Sequence, residues 1–118
     1  MTPFGAKLRA LRAARGVSLS QMAAALQVSA AYLSALEHGR RGRPSPGLVH
    51  QVNEYFGLIW DEADEMARLA ALSHPRVTID TSGLAPEATE LANRLAQRIA
   101  SLTPQRLRAL LDLLDQPE

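Results

Sequence analysis

The chain has 118 residues, 47% of them apolar but only 4% aromatic, with no cysteine and a formal net charge of +1. That length holds one domain, or a small domain with an accessory part, whose core must come from Leu, Ala and Val. Such a core favours helices, and the lack of cysteine excludes disulfide frameworks, thiolate zinc sites and cysteine nucleophiles. The small net charge hides an asymmetry. Met1 to Ile59 carries seven basic residues (Lys7, Arg9, Arg12, Arg15, Arg40, Arg41, Arg43) against two acids, or +5, while Trp60 to Glu118 carries six arginines against ten acids, or −4. This pattern suggests a polyanion-facing domain joined to a part with another task.

Pro3 stands where a helix favours its first proline, and Phe4, Leu8 and Leu11 follow at i, i+4, i+7 until Gly16 stops the helix. A second helix is predicted from about Ser18 to Leu26. Ser18 and Gln21 are spaced to cap each other, and Met22, Ala23 and Leu26 form the apolar face. The LQVS stretch breaks that face and leaves Gln27 in the turn, so any left-handed backbone there falls on a residue with a Cβ. Ser29 caps a third helix from about Ala30 to Glu37, backed by Leu33 and Leu36, and Gly39 supplies a stop. Two helices this short cannot stand alone in water, so the flanking chain must offer a third surface.

His38 to Ser45, HGRRGRPS, is a glycine-broken loop with three arginines. Ser45 and Pro46 begin a fourth helix through Phe56, with Leu48, Val49, Val52 and Phe56 inward. Gly57 ends it, and Leu58 and Ile59 are expected to close the core. Trp60 to Leu72 is predicted as a fifth helix, its acidic start suited to the positive helix terminus, with Met66, Leu69 and Ala70 inward. Arg76 to Thr81, RVTIDT, is the one strand-like run: either an extended connector or an edge that pairs with its copy in a second subunit. A long helix follows from about Ala85 to Ser101. Thr103 and Pro104 open a last helix striped with Leu107, Leu110, Leu111 and Leu114. Two such helices form a hairpin that buries only half its apolar surface alone. A two-fold partner would cover the rest, with packing on the fifth helix as the alternative. The expected dimer contacts are Val77, Ile79, Leu91, Leu95, Ile99, Leu102, Leu107, Leu110, Leu111 and Leu114. The organisation is therefore all-α, with a five-helix domain over 1–72, a linker over 73–84 and a helical dimerisation region over 85–118.

LRALRAARG, the small Ala23, the VSAAYLSALEHG segment and the RPS at Arg43 to Ser45 resemble the helix-turn-helix of phage-repressor-like (lambda repressor, Cro and XRE-type) transcription factors, from about Phe4 to Leu58. The resemblance implies a compact helical domain that lays its second motif helix in the DNA major groove. It also implies that Arg12 pairs with Glu37 and ties the first helix to the third, a scaffold pair rather than a DNA contact. The start of the second helix would face a phosphate. Many relatives place a glutamine there; here Leu19 stands in that position, with Ser20 as a partial substitute. By motif position, Ala30, Ala31, Ser34 and Ala35 face the bases, and the cap Ser29 joins the DNA-binding set. They lack long amide and guanidinium groups, so hydrogen-bonded readout would be sparse and DNA shape would carry much of the specificity. Tyr32 is either a phosphate partner or an edge residue that packs on the domain. His38 and the arginines Arg40, Arg41 and Arg43 would lie over the DNA backbone.

The function implied is a regulator, a repressor rather than an activator, that binds a pseudo-palindromic operator as a homodimer, its readers about 10 base pairs apart or a multiple of that. Two other readings stay open: the antitoxin of a toxin–antitoxin pair with DNA-binding autoregulation, and an interaction domain of this fold without DNA binding; whether a protein partner such as a toxin or polymerase takes part is left open. His38, His50 and His74 are scattered, and nothing resembles an activated nucleophile or a phosphate-cradling glycine loop. No enzyme, metal or cofactor is expected. No apolar run approaches the roughly 20 residues of a membrane span, so a cytoplasmic, nucleoid-associated protein is expected.

Overall fold

Four helices in succession open on a hydroxyl and close on a left-handed residue. The computed structural model describes residues 1–117, and α1 (Pro3–Arg15), α2 (Leu19–Leu26), α3 (Ala30–Glu37) and α4 (Pro46–Phe56) each begin this way. The side chains of Thr2, Ser18, Ser29 and Ser45 accept from backbone N–H groups of the first turns of α1 to α4 in that order. Such a cap contributes about 1 kcal/mol relative to alanine. Ser18 and Gln21 form the full reciprocal box, with the Gln21 N–H 3.0 Å from the Ser18 hydroxyl and the Ser18 N–H 2.8 Å from Gln21 Oε1. The four helices end at Gly16, Gln27, Gly39 and Gly57, with φ of 63°, 58°, 74° and 67°. At each, the left-handed residue and its successor donate back into the last turn, as in Val28 N–H to the Ala23 carbonyl (3.0 Å) and Arg40 N–H to the Ala35 carbonyl (2.9 Å). The successor residues Val17, Val28 and Leu58 pack on the core, whereas Arg40 is exposed.

α5 (Asp61–Ala71) completes this unit, which extends over Met1–Val77. α1 packs on α3 and α5, α2 on α3 and α4, and α4 on α5. Phe4, Leu8, Met22, Leu33, Val52 and Met66 meet at the centre with essentially no solvent contact. Gly5 sets the α1–α3 crossing. A Cβ there would fall on the Glu37 carbonyl oxygen and come within 2.7 Å of its Cα. Ser73 links the two ends of the unit. Its buried hydroxyl accepts from the Phe4 N–H at 2.8 Å and donates to the Leu69 carbonyl at 2.6 Å. The opening of α1 is thereby satisfied. Pro3 has no N–H, Phe4 donates to Ser73, Gly5 to the Thr2 side chain and Ala6 to the Thr2 carbonyl.

The corner between α4 and α5 differs from the sequence reading. The left-handed turn at Gly57 directs Leu58 inward but leaves Ile59 61% exposed, so Leu58 alone joins the core. Trp60 does not begin α5. It precedes the helix at φ 51°, 82% exposed, and its carbonyl accepts from the Asp64 N–H.

A second unit begins at Thr78. Among the described residues no strand forms, and Val77 and Ile79 are exposed on an extended segment. A turn at Asp80 to Leu84 follows. Ser82, through its side chain and then its backbone N–H, holds the Asp80 carboxyl below its ordinary pKa. The Thr89 hydroxyl donates to that of Thr81 at 2.8 Å and ties the turn to α6 (Pro86–Arg98). The helix expected to reach Ser101 tightens into a 3₁₀ turn at Ile99–Ser101, and α7 (Pro104–Asp115) starts on a Thr103 cap. α6 and α7 do not pack along each other's length, and no side chain from Thr78 to Pro117 is buried. No helix of the described residues is long and apolar enough to cross a membrane.

Gly5→Ala is expected to lose about 2 kcal/mol or more of stability through overpacking against backbone. Gln27→Gly is expected to gain about 0.5–1 kcal/mol by relieving a left-handed residue with a Cβ. Urea denaturation followed by circular dichroism measures both. A neutral Gly5→Ala would mean that the α1–α3 crossing has slack.

Candidate nucleic-acid interface

The third helix is two turns long, and its placement rests on its last residue. Arg12 grips Glu37 in a fork, Nε to Oε2 and Nη2 to Oε1, both at 3.1 Å. The two side chains are 14% and 3% exposed, so both charges are largely removed from water. A planar guanidinium matches a carboxylate through two parallel bonds, which fixes direction as well as distance. The Arg12 Nη1 also reaches the Val17 carbonyl at 3.5 Å, which draws the α1–α2 corner into the same arrangement. Arg15 is used internally as well. Its Nη2 donates to the Phe56 carbonyl at 2.9 Å, and its guanidinium stands 5.7 Å from the Phe56 ring centre, closing the end of α4. Lys7 lies near α5, where it adds to the lowering of the Glu65 pKa that the Arg68 hydrogen bond chiefly causes.

The loop after α3 differs. Arg40, Arg41 and Arg43 are exposed, and among the described residues none of their guanidinium groups is ion-paired or hydrogen-bonded. Gly39 at φ 74° turns the chain so that Arg40 leaves the helix at the position where α1, α2 and α4 place Val17, Val28 and Leu58 against the core. Arg43 borders a cleft of ≈ 360 Å³ between α4 and α5, beside His50 and Asn53.

On α3 itself, Ser29, Ala30 and Ala31 are exposed at the helix start, while Ser34 and Ala35 are half-buried rather than fully outward. Tyr32 is half-buried against the core, and its backbone N–H donates to the Ser29 hydroxyl. The His38 Nδ1 lies 2.8 Å from the Ser34 carbonyl, so that ring folds back on its own helix. Ser20 is exposed on the first turn of α2, whereas Leu19 packs on the core. The structure thus brings together a capped helix start, a patch of small side chains and a cluster of uncompensated arginines. This set suits close approach to an extended anionic surface. Among the residues expected to form a dimer contact, Leu91, Ile99, Leu111 and Leu114 are exposed and Leu95, Leu102, Leu107 and Leu110 half-buried.

Two structural residues escape a pattern search. Ser73 and Arg15 act across 69 and 41 positions of chain, which no local spacing signals. Gly5 carried a usable cue, since glycine inside an apolar-periodic helix often marks close backbone approach.

A helix-turn-helix domain model matches residues 3–69 of this chain. The chain belongs to the helix-turn-helix family of transcriptional regulators. It is 40% identical over 65 residues to the HTH-type transcriptional repressor RghR of Bacillus subtilis (strain 168), a match covering 51% of this chain and 48% of that protein. It is also 40% identical over 52 residues to the uncharacterized HTH-type transcriptional regulator RghRB of the same organism, covering 44% of this chain and 37% of that one. The matched region is thus less than half the length of either curated relative. No solved structure matches the chain.

Removing one member of a buried pair strands the other charge. Arg12→Met or Glu37→Leu alone is expected to cost about 3 kcal/mol, and the double variant to recover most of that. A double-mutant cycle in urea reads this directly. Additive losses would show that the two groups do not depend on each other.

Proposed function

We propose that this chain is a sequence-specific DNA-binding transcriptional regulator, acting in the cytoplasm as a homodimeric repressor of a pseudo-palindromic operator. The observation that carries the reading is the loop Arg40, Arg41 and Arg43, exposed and uncompensated directly after α3. Arg40 stands where an apolar residue would extend the core, as at the ends of the neighbouring helices. A repeated structural device broken at one place to present a cation is better explained by an external anion than by packing.

In the proposed complex α3 enters the major groove. Ala30 and Ala31 admit the backbone close to the base edges and touch thymine methyls, and Ser29 and Ser34 contribute the few polar contacts. Weak direct readout shifts specificity to DNA shape and to the spacing of two half-sites. The three arginines bind phosphates and set affinity and orientation. Repression follows from excluding polymerase from the occupied site. The repressor named among the relatives supports this direction of regulation. The alanine-rich face of α3 favours one rival, a protein-interaction domain of the same fold that has lost DNA binding.

Binding to DNA from upstream of its own gene is expected to weaken steeply with salt. The Arg40→Ala/Arg41→Ala/Arg43→Ala variant is expected to flatten the log–log slope by about three per protomer. Fluorescence anisotropy across a salt series measures both slopes. A folded wild-type protein with no salt-sensitive affinity for any duplex would overturn the proposal in favour of the interaction domain.

A further inference from the structure

Among the described residues of the second unit no side chain is fully buried. α6 carries a shallow groove of ≈ 300 Å³ along one face, and its residues are ordered by charge. Along α6, Glu87 and Glu90 stand at the N-terminal end, Leu91 and Leu95 in the middle, and Arg94 and Arg98 toward the C-terminal end, where Leu102 beyond the helix closes the groove. Reversed end for end, this series complements itself. Glu87 and Arg98 lie equally far from a midpoint beside Ala92 and Asn93, about 16 Å apart along the helix.

We propose that the α6 groove is occupied by α6 of a second copy of this chain, running antiparallel about a two-fold axis at Ala92–Asn93. In that register Glu87 faces the partner's Arg98, Glu90 approaches the partner's Arg94, and Leu91 and the partner's Leu95 close the middle. This deepens the homodimer part of the function proposed above and does not depend on DNA binding. A parallel pair would set Glu87 against its own copy and Arg98 against its own copy, which like-charge repulsion disfavours.

The chain's own α7 is a poor cover. Its order is opposite, with Arg106 and Arg108 first and Asp112 and Asp115 last. Folded back along α6, it would bring arginines to arginines and acids to acids. That charge order also opposes the dipole of α7, so isolated-helix stability does not account for it. It too is self-complementary when reversed. The Glu90–Arg94 pair already made within the helix, at 3.1 Å and well exposed, would join the intermolecular set. Exposed pairs contribute little energy each. The apolar stripe supplies affinity, and the charges select direction and register.

The full chain, without DNA, tests this. Sedimentation is expected to show a dimer at micromolar concentration. Glu87→Lys/Glu90→Lys and Arg94→Glu/Arg98→Glu are each expected to weaken it by at least about tenfold, with unchanged helicity by circular dichroism. An equimolar mixture of the two is expected to form a heterodimer. Because the chain has no cysteine, single substitutions report register cleanly. Leu91→Cys is expected to cross-link to Arg94→Cys on oxidation, and Glu87→Cys to cross-link to Arg98→Cys but not to itself. A monomeric wild type overturns the proposal and leaves the groove to a different protein. Self-linking Glu87→Cys, or charge reversals without effect, overturns the antiparallel register. A monomer that still binds duplex would remove this inference and leave the DNA reading standing; a dimer without duplex affinity would do the converse.

Discussion

The grip of Arg12 on Glu37 is the constraint on which the domain's working surface depends. α3 is too short to hold its own direction, and its apolar contacts, Leu33 and Leu36, anchor only one side. The fork to α1 fixes rotation at the helix end, and the backbone contact at Gly5 fixes distance. Both act on one residue. The Glu37 side chain meets the guanidinium while its carbonyl meets the glycine. Displacement of that residue would move the α3 face and the start of the arginine loop together, because Arg40 donates its N–H back into the last turn of α3.

This arrangement revises what the positive charge of the N-terminal half means. Arg12 and Arg15 are consumed inside the fold, one as a tether and one as a closure for α4. Lys7 sits over the acidic face of α5. The cations left without internal work include those of the loop at 40–43, so the outward field is more local than a count over the half suggests. Arg12 is bidentate and desolvated where geometry must be held, whereas Arg40, Arg41 and Arg43 stand exposed on a glycine-broken loop where an anion is to be met.

The first four helices were legible because local residues mark their starts and stops. Ser18 with Gln21, Ser29, and Ser45 with Pro46 announce beginnings, and Gly16, Gly39 and Gly57 announce ends; all are local and need no tertiary information. Gln27 was readable only as a conflict, a left-handed site lacking glycine, and the fold accepts it because Val28 packs inward behind it. The features that were not legible are those set by approach between distant segments. Ser73 looks like a polar residue past a helix end until the Phe4 N–H arrives. Ile59 continues an apolar run, yet the geometry of a left-handed stop allows only Leu58 to turn inward. On α3, spacing named the outward side but not how far neighbours would shade Ser34 and Ala35. The arginine loop was visible as composition; that Arg40 interrupts a device repeated at three other helix ends emerged only from the hydrogen bonds.

Trp60 carries a practical consequence. It is the chain's one tryptophan, and it stands 82% exposed at the corner before α5. An indole already bathed in water changes its surroundings little when the chain unfolds. Its emission would therefore remain near the long-wavelength limit in both states, and an optical melt based on it would miss the collapse of the core. The same nakedness makes it a sensitive lamp for anything that docks against that corner, since a covering surface would shift its colour toward the blue.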